Sequence, residues 1–165
     1  MIRSFLLAIG IAAALFGHAA AAPAANQASA KFIKDAIEGN LAEIAVGKLA
    51  QTKGNSEGVR SFGAMLEKDH SEANQKAISV ANQLGVTSPS EPNKKQKALY
   101  DKLSKLSGDA FDREFVKAMI ADHKKDIREF EKAAKKAGDP AAAFAQETLP
   151  TLQKHLDTAQ SLAKA

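Results

Sequence analysis

The sequence predicts an all-α protein, a ferritin-like four-helix bundle with a long crossover containing a short helix. Three observations predict it. Alanine, lysine, leucine and glutamate dominate and aromatic residues make up only 5%, a balance that favours helix over strand. Gly54, Gly85, Gly108 and Gly138-Asp139-Pro140 stand at points that divide the chain into long runs of helical spacing. The links near residues 54 and 139 are too short for anything but antiparallel neighbours, whereas the link from Gly85 to Gly108 is long. Two tight hairpins joined by one long crossover is ferritin-like connectivity. A simple up-down bundle is the alternative, with the short helix lying across one end.

Taken in order, the chain opens with Arg3, an apolar run from Phe5 to Phe16 and the small residues Ala19-Ala20-Ala21-Ala22. This is the pattern of a signal peptide, residues 1–22, cut near Ala21 or Ala22. The run is shorter than the ~20 residues a membrane span needs. Residues 23–28 read as a flexible leader and residues 29–165 as one domain. The first helix is expected from Ser29 to Lys53, stopped by Gly54-Asn55. Ser56 caps the next, which carries Glu57 in its first turn and ends at Gly85. A short helix spans Lys94–Leu106, with Leu99, Leu103 and Leu106 at helical spacing, and breaks at Ser107-Gly108-Asp109. The third long helix runs from Asp109 to Ala137. Asp139-Pro140 caps and starts the fourth, which reaches about Lys164 and should kink at Pro150.

Charge and cysteine content narrow the function. The formal net charge is +4, from 23 basic and 19 acidic residues. The lysines are scattered among acids rather than clustered as in a nucleic-acid surface, so nucleic acid is not an expected partner. There is no cysteine, which excludes disulfides and thiolate chemistry. The export signal places the protein in the periplasm, in association with the cell envelope, where an envelope protein is a candidate partner.

The chemistry-bearing residues lie on apolar helix faces. Phe62…Asp69-His70 and Phe115…Asp122-His123 repeat one pattern, a phenylalanine two helical turns before a histidine. At ~100° per residue, His70 shares a face with Val59, Leu66, Ala73, Ala77 and Leu84. His123 shares one with Val116, Met119, Ile127 and Phe130, and His155 with Phe144, Thr148, Leu152, Ala159 and Leu162. On the first helix Glu43 shares a face with Phe32, Ala36, Gly39, Val46, Gly47 and Ala50. Each of the four groups stands roughly 14–15 residues into its helix, about 21–23 Å along the axis, so one layer at mid-bundle can hold them all. Asp69 flanks His70, and Asp112 lies three turns before His123.

Buried ionisable groups need partners or a metal. In one reading Glu43 and the aspartates accept hydrogen bonds from the imidazoles and form a satisfied network; the carboxylate partner then raises the histidine pKa, and stability is lost as pH rises. In the other, Glu43, His70, His123 and His155, with Asp69 and Asp112 as further candidates, ligate a divalent metal such as zinc or iron. Protons compete with metal, so ligation weakens as pH falls. A di-iron carboxylate centre needs two Glu-x-x-His motifs. Glu67-Lys68-Asp69-His70 supplies one, but Ile120 and Leu152 occupy the equivalent positions before His123 and His155. No phosphate loop, His-Glu-x-x-His motif or nucleophile elbow is present, so the residues point to a binding bundle rather than to an enzyme.

Four ordered segments carry a family resemblance: Phe32 to Ala50, Val59-Arg60-Ser61-Phe62 through His70, Gly108-Asp109-Ala110-Phe111-Asp112 through His123, and Thr148-Leu149-Pro150 through Leu156. Together they resemble the bacterial exported family called domain of unknown function 4142. The resemblance covers nearly the whole chain after residue 22. It implies a ferritin-like bundle in the periplasm or envelope. It also implies that Glu43, Asp69, His70, Phe111, Asp112, His123, Pro150 and His155 are its recurrent positions, and it implies no established activity.

Overall fold

The structure, a computed structural model, describes residues 27–164. The signal peptide, the cleavage position and most of the leader lie outside the described residues. Among the described residues there are five helices and no strand: α1 (Gln27–Lys53), α2 (Glu57–Gln83), α3 (Lys94–Ser104), α4 (Gly108–Ala133) and α5 (Pro140–Leu162). Local chemistry sets most boundaries. Ser56 Oγ accepts the Val59 N–H, Asn93 and Gln96 form a reciprocal capping box, and Asp139 accepts the Ala141 N–H at 2.9 Å ahead of Pro140. Gly85, with φ of 65°, adopts the left-handed conformation that ends α2 cheaply only at glycine, and Gly138, with φ of 77°, does the same within the turn before α5. Gly54 differs. Its φ is not positive, and a Cβ there would meet Ala50 O at 2.6 Å and Val59 Cγ1 at 2.9 Å. The α1–α2 turn requires glycine for space rather than for backbone conformation.

Some helix ends differ from expectation by a few residues, α3 among them, which stops at Ser104 rather than Leu106. α1 begins at Gln27, so the last two residues of the expected leader are helical. α4 ends at Ala133 rather than Ala137, because the chain winds into tighter turns there: Lys136 N–H reaches Ala133 O, and Gln146 Nε2 takes the Ala134 carbonyl. As expected, Pro150 lies inside α5, where it is exposed and forfeits one backbone hydrogen bond.

The connectivity is the ferritin-like one. Asn55 and Ser56, in the α1–α2 turn, donate backbone N–H bonds of 2.8 Å to the two Asp112 carboxylate oxygens near the start of α4. α2 and α4 therefore start at the same end. Ser29, near the start of α1, donates to Asp139 at the start of α5, at the other end. The four long helices run up, down, down, up, with α1 packed on α2 and α4, and α5 on α4 and α2. The crossover returns along the bundle's length rather than capping its end. Asn93 reaches Glu38 on α1, Lys102 pairs with Glu114 on α4, and Leu103 of α3 is fully buried.

The core splits into two apolar clusters. One, towards the α1–α2 turn, includes Val46, Phe62, Leu66, Phe111, Phe115 and Met119. The other includes Ile33, Ile37, Ala77, Phe130, Phe144 and Leu152. In each long helix the buried ionisable residue falls between the two clusters in sequence. α1 buries Ile33, Ile37 and Asn40, about one residue round from the expected face through Phe32 and Gly39. α1 is packed by α2, α3 and α4, so its buried arc is wide and its pattern weakly phased. The α1–α2 crossing is close: a Cβ on Gly47 would stand 2.7 Å from Gly63 O, and one on Gly63 would stand 2.6 Å from Gly47 O.

That contact gives a first prediction. Gly63→Ala should cost ~1–3 kcal/mol by overpacking. Gly39→Ala, whose Cβ meets only Gln96 Nε2 at 4.0 Å, should be neutral or stabilise by up to ~1 kcal/mol through helix propensity. Chemical denaturation of both variants checks the pair. Equal effects would mean the α1–α2 crossing is looser than described.

Candidate metal centre

Between the two clusters the four long helices bring three imidazoles together. The ring centroids of His70 and His155 are 5.2 Å apart, those of His123 and His155 5.2 Å, and those of His70 and His123 5.9 Å. One ring nitrogen from each lies within 4.8 Å of the other two, and all three residues are buried. The expected meeting of His70, His123 and His155 is therefore found. The other three candidates stand elsewhere. Glu43 is buried, but its nearest oxygen is 3.9 Å from His123 Nδ1, and that nitrogen is committed to the Met119 carbonyl. Asp69 touches the centre through His155 alone. Asp112 is a correction: it caps the α1–α2 turn from the end of the bundle, because three turns along α4 carry it away from the His123 layer. Glu67, of the lone Glu-x-x-His motif, faces outward to Gln51 and Lys48.

Each imidazole spends one nitrogen on an acceptor. His70 Nδ1 donates to Asn40 Oδ1 at 2.9 Å, His123 Nδ1 to Met119 O at 3.0 Å, and His155 Nε2 to Asp69 Oδ2 at 3.0 Å. These are the bonds that fix tautomer and ring orientation for metal-binding histidines. The remaining nitrogens are His70 Nε2, which has no partner, and His123 Nε2 facing His155 Nδ1 at 3.2 Å. Met119 O can only accept, so a neutral His123 has its lone pair on Nε2. His155 Nδ1 must then donate to it, while His155 Nε2 also donates to Asp69. A neutral imidazole has one N–H, not two. Without a metal the chain needs an extra buried proton to satisfy this network.

Burial opposes that proton. It lowers the His70 pKa well below the usual imidazole value, helped by the neighbouring His123 and His155, and lowers His123 to about 4. Burial also lowers His155, outweighing the Asp69 hydrogen bond that raises it. The carboxylate-pair expectation, a raised histidine pKa, is thus reversed because desolvation exceeds one hydrogen bond. Glu43 goes the opposite way: burial first, then Asp126 and Asp122, push it well above the carboxylate range. One Glu43 oxygen has no hydrogen-bond partner.

Sequence reasoning missed Asn40 and the Met119 carbonyl. Asn40 carried a signal, a carboxamide three residues before Glu43 on a helix otherwise buried through Ile33, Ile37 and Val46. A backbone carbonyl carries none.

The chain's relatives add a family and a fold. A domain of unknown function, DUF4142, matches residues 14–162. The chain belongs to that family. No curated protein matches the sequence. The crystal structure of a DUF305 fragment from Deinococcus radiodurans superposes with a TM-score of 0.70 at 15% identity, covering 87% of this chain and 100% of the fragment. At that identity the likeness concerns the fold alone.

Two pH predictions follow from opposed shifts. In metal-free DUF4142 protein the folded pKa of His123 lies below its unfolded value of 6.5. Its stabilising contribution is therefore complete above pH ~6.5 and lost as pH falls towards 4, roughly 3 kcal/mol by linkage. Imidazole NMR signals should titrate correspondingly late, and a His123 midpoint at 6.5 or above would contradict the burial. Glu43 binds its proton more tightly when folded, so its effect is lost stability as pH rises above ~4.5. Glu43→Gln should stabilise the fold at neutral pH, with the gain shrinking towards pH 4.5 in denaturation curves.

Proposed function

We propose that this DUF4142 protein is an exported, envelope-associated bundle that binds one divalent transition metal through His70 Nε2, His123 Nε2 and His155 Nδ1. The observation that carries the reading is the proton count of the histidine network. A dication takes the place of the proton the network lacks, gives His70 Nε2 a partner, and leaves every outer N–H bond as it stands. The 3.2 Å between His123 Nε2 and His155 Nδ1 suits two ligands of one ion, since zinc–nitrogen bonds of ~2.0–2.1 Å at tetrahedral angles separate ligands by roughly 3.3 Å. Neutral imidazole suits zinc, copper, nickel and iron alike. The absent second Glu-x-x-His motif, with Ile120 and Leu152 at the equivalent positions, weighs against a di-iron oxidase.

Support for export is the sequence from Arg3 to Ala22, and no helix among the described residues is long and apolar enough to cross a membrane. A second reading is a structural or interaction module in which a protonated His155 pairs with Asp69. The 3.0 Å His155–Asp69 contact favours it.

Metal stoichiometry and thermal stability distinguish the two. Untagged protein given zinc or cobalt should bind about one ion per chain, and metal at a hundredfold its dissociation constant should add ~2.7 kcal/mol of stability. His123→Ala should abolish both effects. A chelator that changes neither metal content nor melting temperature from pH 5 to 8 would leave only the structural module. Fractionation of the native host, with the protein found in the cytoplasm at full length, would defeat the export half.

A further inference from the structure

The histidine centre borders a cleft at His70, while His123 and His155 lie behind it. A cleft of about 380 Å³ enters between α1 and α4, and His70 and Asn40 are both among its lining residues. Asn40 is 5% exposed, uses Oδ1 on His70, and leaves its Nδ2 amide buried with no hydrogen-bond partner. A buried donor without an acceptor costs ~1–3 kcal/mol, so this amide stands ready for an acceptor the chain does not supply. The three imidazoles supply three ligands, and three protein ligands leave a tetrahedral ion one position short. Glu43 does not fill it, since its approach is to the outer side of His123.

Resting on the metal reading above, we infer that the three-histidine centre is an open site: its fourth position faces the α1–α4 cleft past His70 and takes a small polyatomic anion, one end on the ion and the far end accepting a hydrogen bond from Asn40 Nδ2. Charge decides between an anion and a neutral ligand. Three neutral imidazoles bring none, and the Asp69 carboxylate on His155 offsets one unit of a dication, leaving one positive charge in a low-dielectric layer. The cleft walls do not make the selection, because Lys31, Lys125, Lys132 and Lys136 are matched by Asp35, Asp126, Glu129 and Asp139. The ion and the Asn40 amide do.

The test uses cobalt as the bound metal and azide as the anion, followed through the cobalt visible spectrum. Azide should shift the spectrum of the cobalt-loaded wild type saturably. Two variants probe the route. Asn40→Asp keeps an acceptor for His70 Nδ1 but replaces the free donor with a carboxylate oxygen. On fully cobalt-loaded protein it should weaken azide at least tenfold. Gly39→Leu places a side chain in the cleft, where a Cβ meets only Gln96 Nε2 at 4.0 Å. It should leave the azide-free spectrum unchanged and weaken or slow azide binding. A cobalt-loaded wild type indifferent to azide overturns the open site while leaving the metal reading intact. Equal azide binding in wild type and both variants overturns the route and the role of Asn40. No cobalt uptake overturns the metal reading, and this inference with it.

Discussion

Three imidazoles buried in one layer, between two apolar clusters, are the constraint on which the rest of this bundle depends. Hydrophobic attraction is non-directional, so by itself it fixes the register of one helix against another less sharply than polar bonds do. His70 is tied to Asn40 across α1 and α2, His155 to Asp69 across α2 and α5, and His155 to His123 across α4 and α5. A shift of one turn in any long helix breaks at least one of these bonds and strands a polar group in a dry layer. The layer thus sets the mutual register of all four helices, as buried polar groups do in coiled coils.

The remaining architecture holds that layer closed. α1 and α2 approach closely because glycines oppose each other at Gly47 and Gly63, which brings Asn40 within reach of His70. The two hairpins are then fastened at both ends by carboxylates, Asp112 to the α1–α2 turn and Asp139 to Ser29. Asp112 therefore serves the centre at a distance, by fixing how α4 stands against the first hairpin. The crossover adds Leu103 to the cluster nearer the turn, filling apolar space beside Phe111 and Phe115.

Much of this was legible in the residues. The stop of α2 at Gly85 follows from backbone chemistry that only glycine satisfies, whereas α4 ends five residues before Gly138. The common layer of His70, His123 and His155 follows from their equal distance along helices of known rise. The long Gly85–Gly108 link specified the crossover, because a chain that needed only to turn back would not require it. What stayed hidden depended on tertiary partners. α1 is covered on several sides, so its apolar residues do not mark one face, and Glu43 could be seen as buried but not as lying behind His123. Asp112 shares the histidine face of α4, yet eleven residues of helix put it roughly 16 Å away. Periodicity shows direction around a helix axis and says little about which partner waits there.

The sequence also could not show how burial divides the protons. In a ferritin-like bundle with inward carboxylates, metal charge is matched by ligand charge. Here the inward ligands are neutral, and the nearby acids are driven to keep their protons: Glu43, Asp122 and Asp126 all have raised pKa values, with burial the leading cause. Burial depresses the imidazoles and elevates the carboxyls, so both sets are pushed towards the uncharged state. Desolvation therefore prepares a centre rich in lone pairs and poor in charge. In the proposed metal reading, a dication would meet imidazole lone pairs with no protons to displace from them, and only the Asp69 carboxylate would offset part of its charge. The same low-dielectric layer that leaves the metal-free network one proton short would, in that reading, leave a bound ion's remaining charge poorly screened.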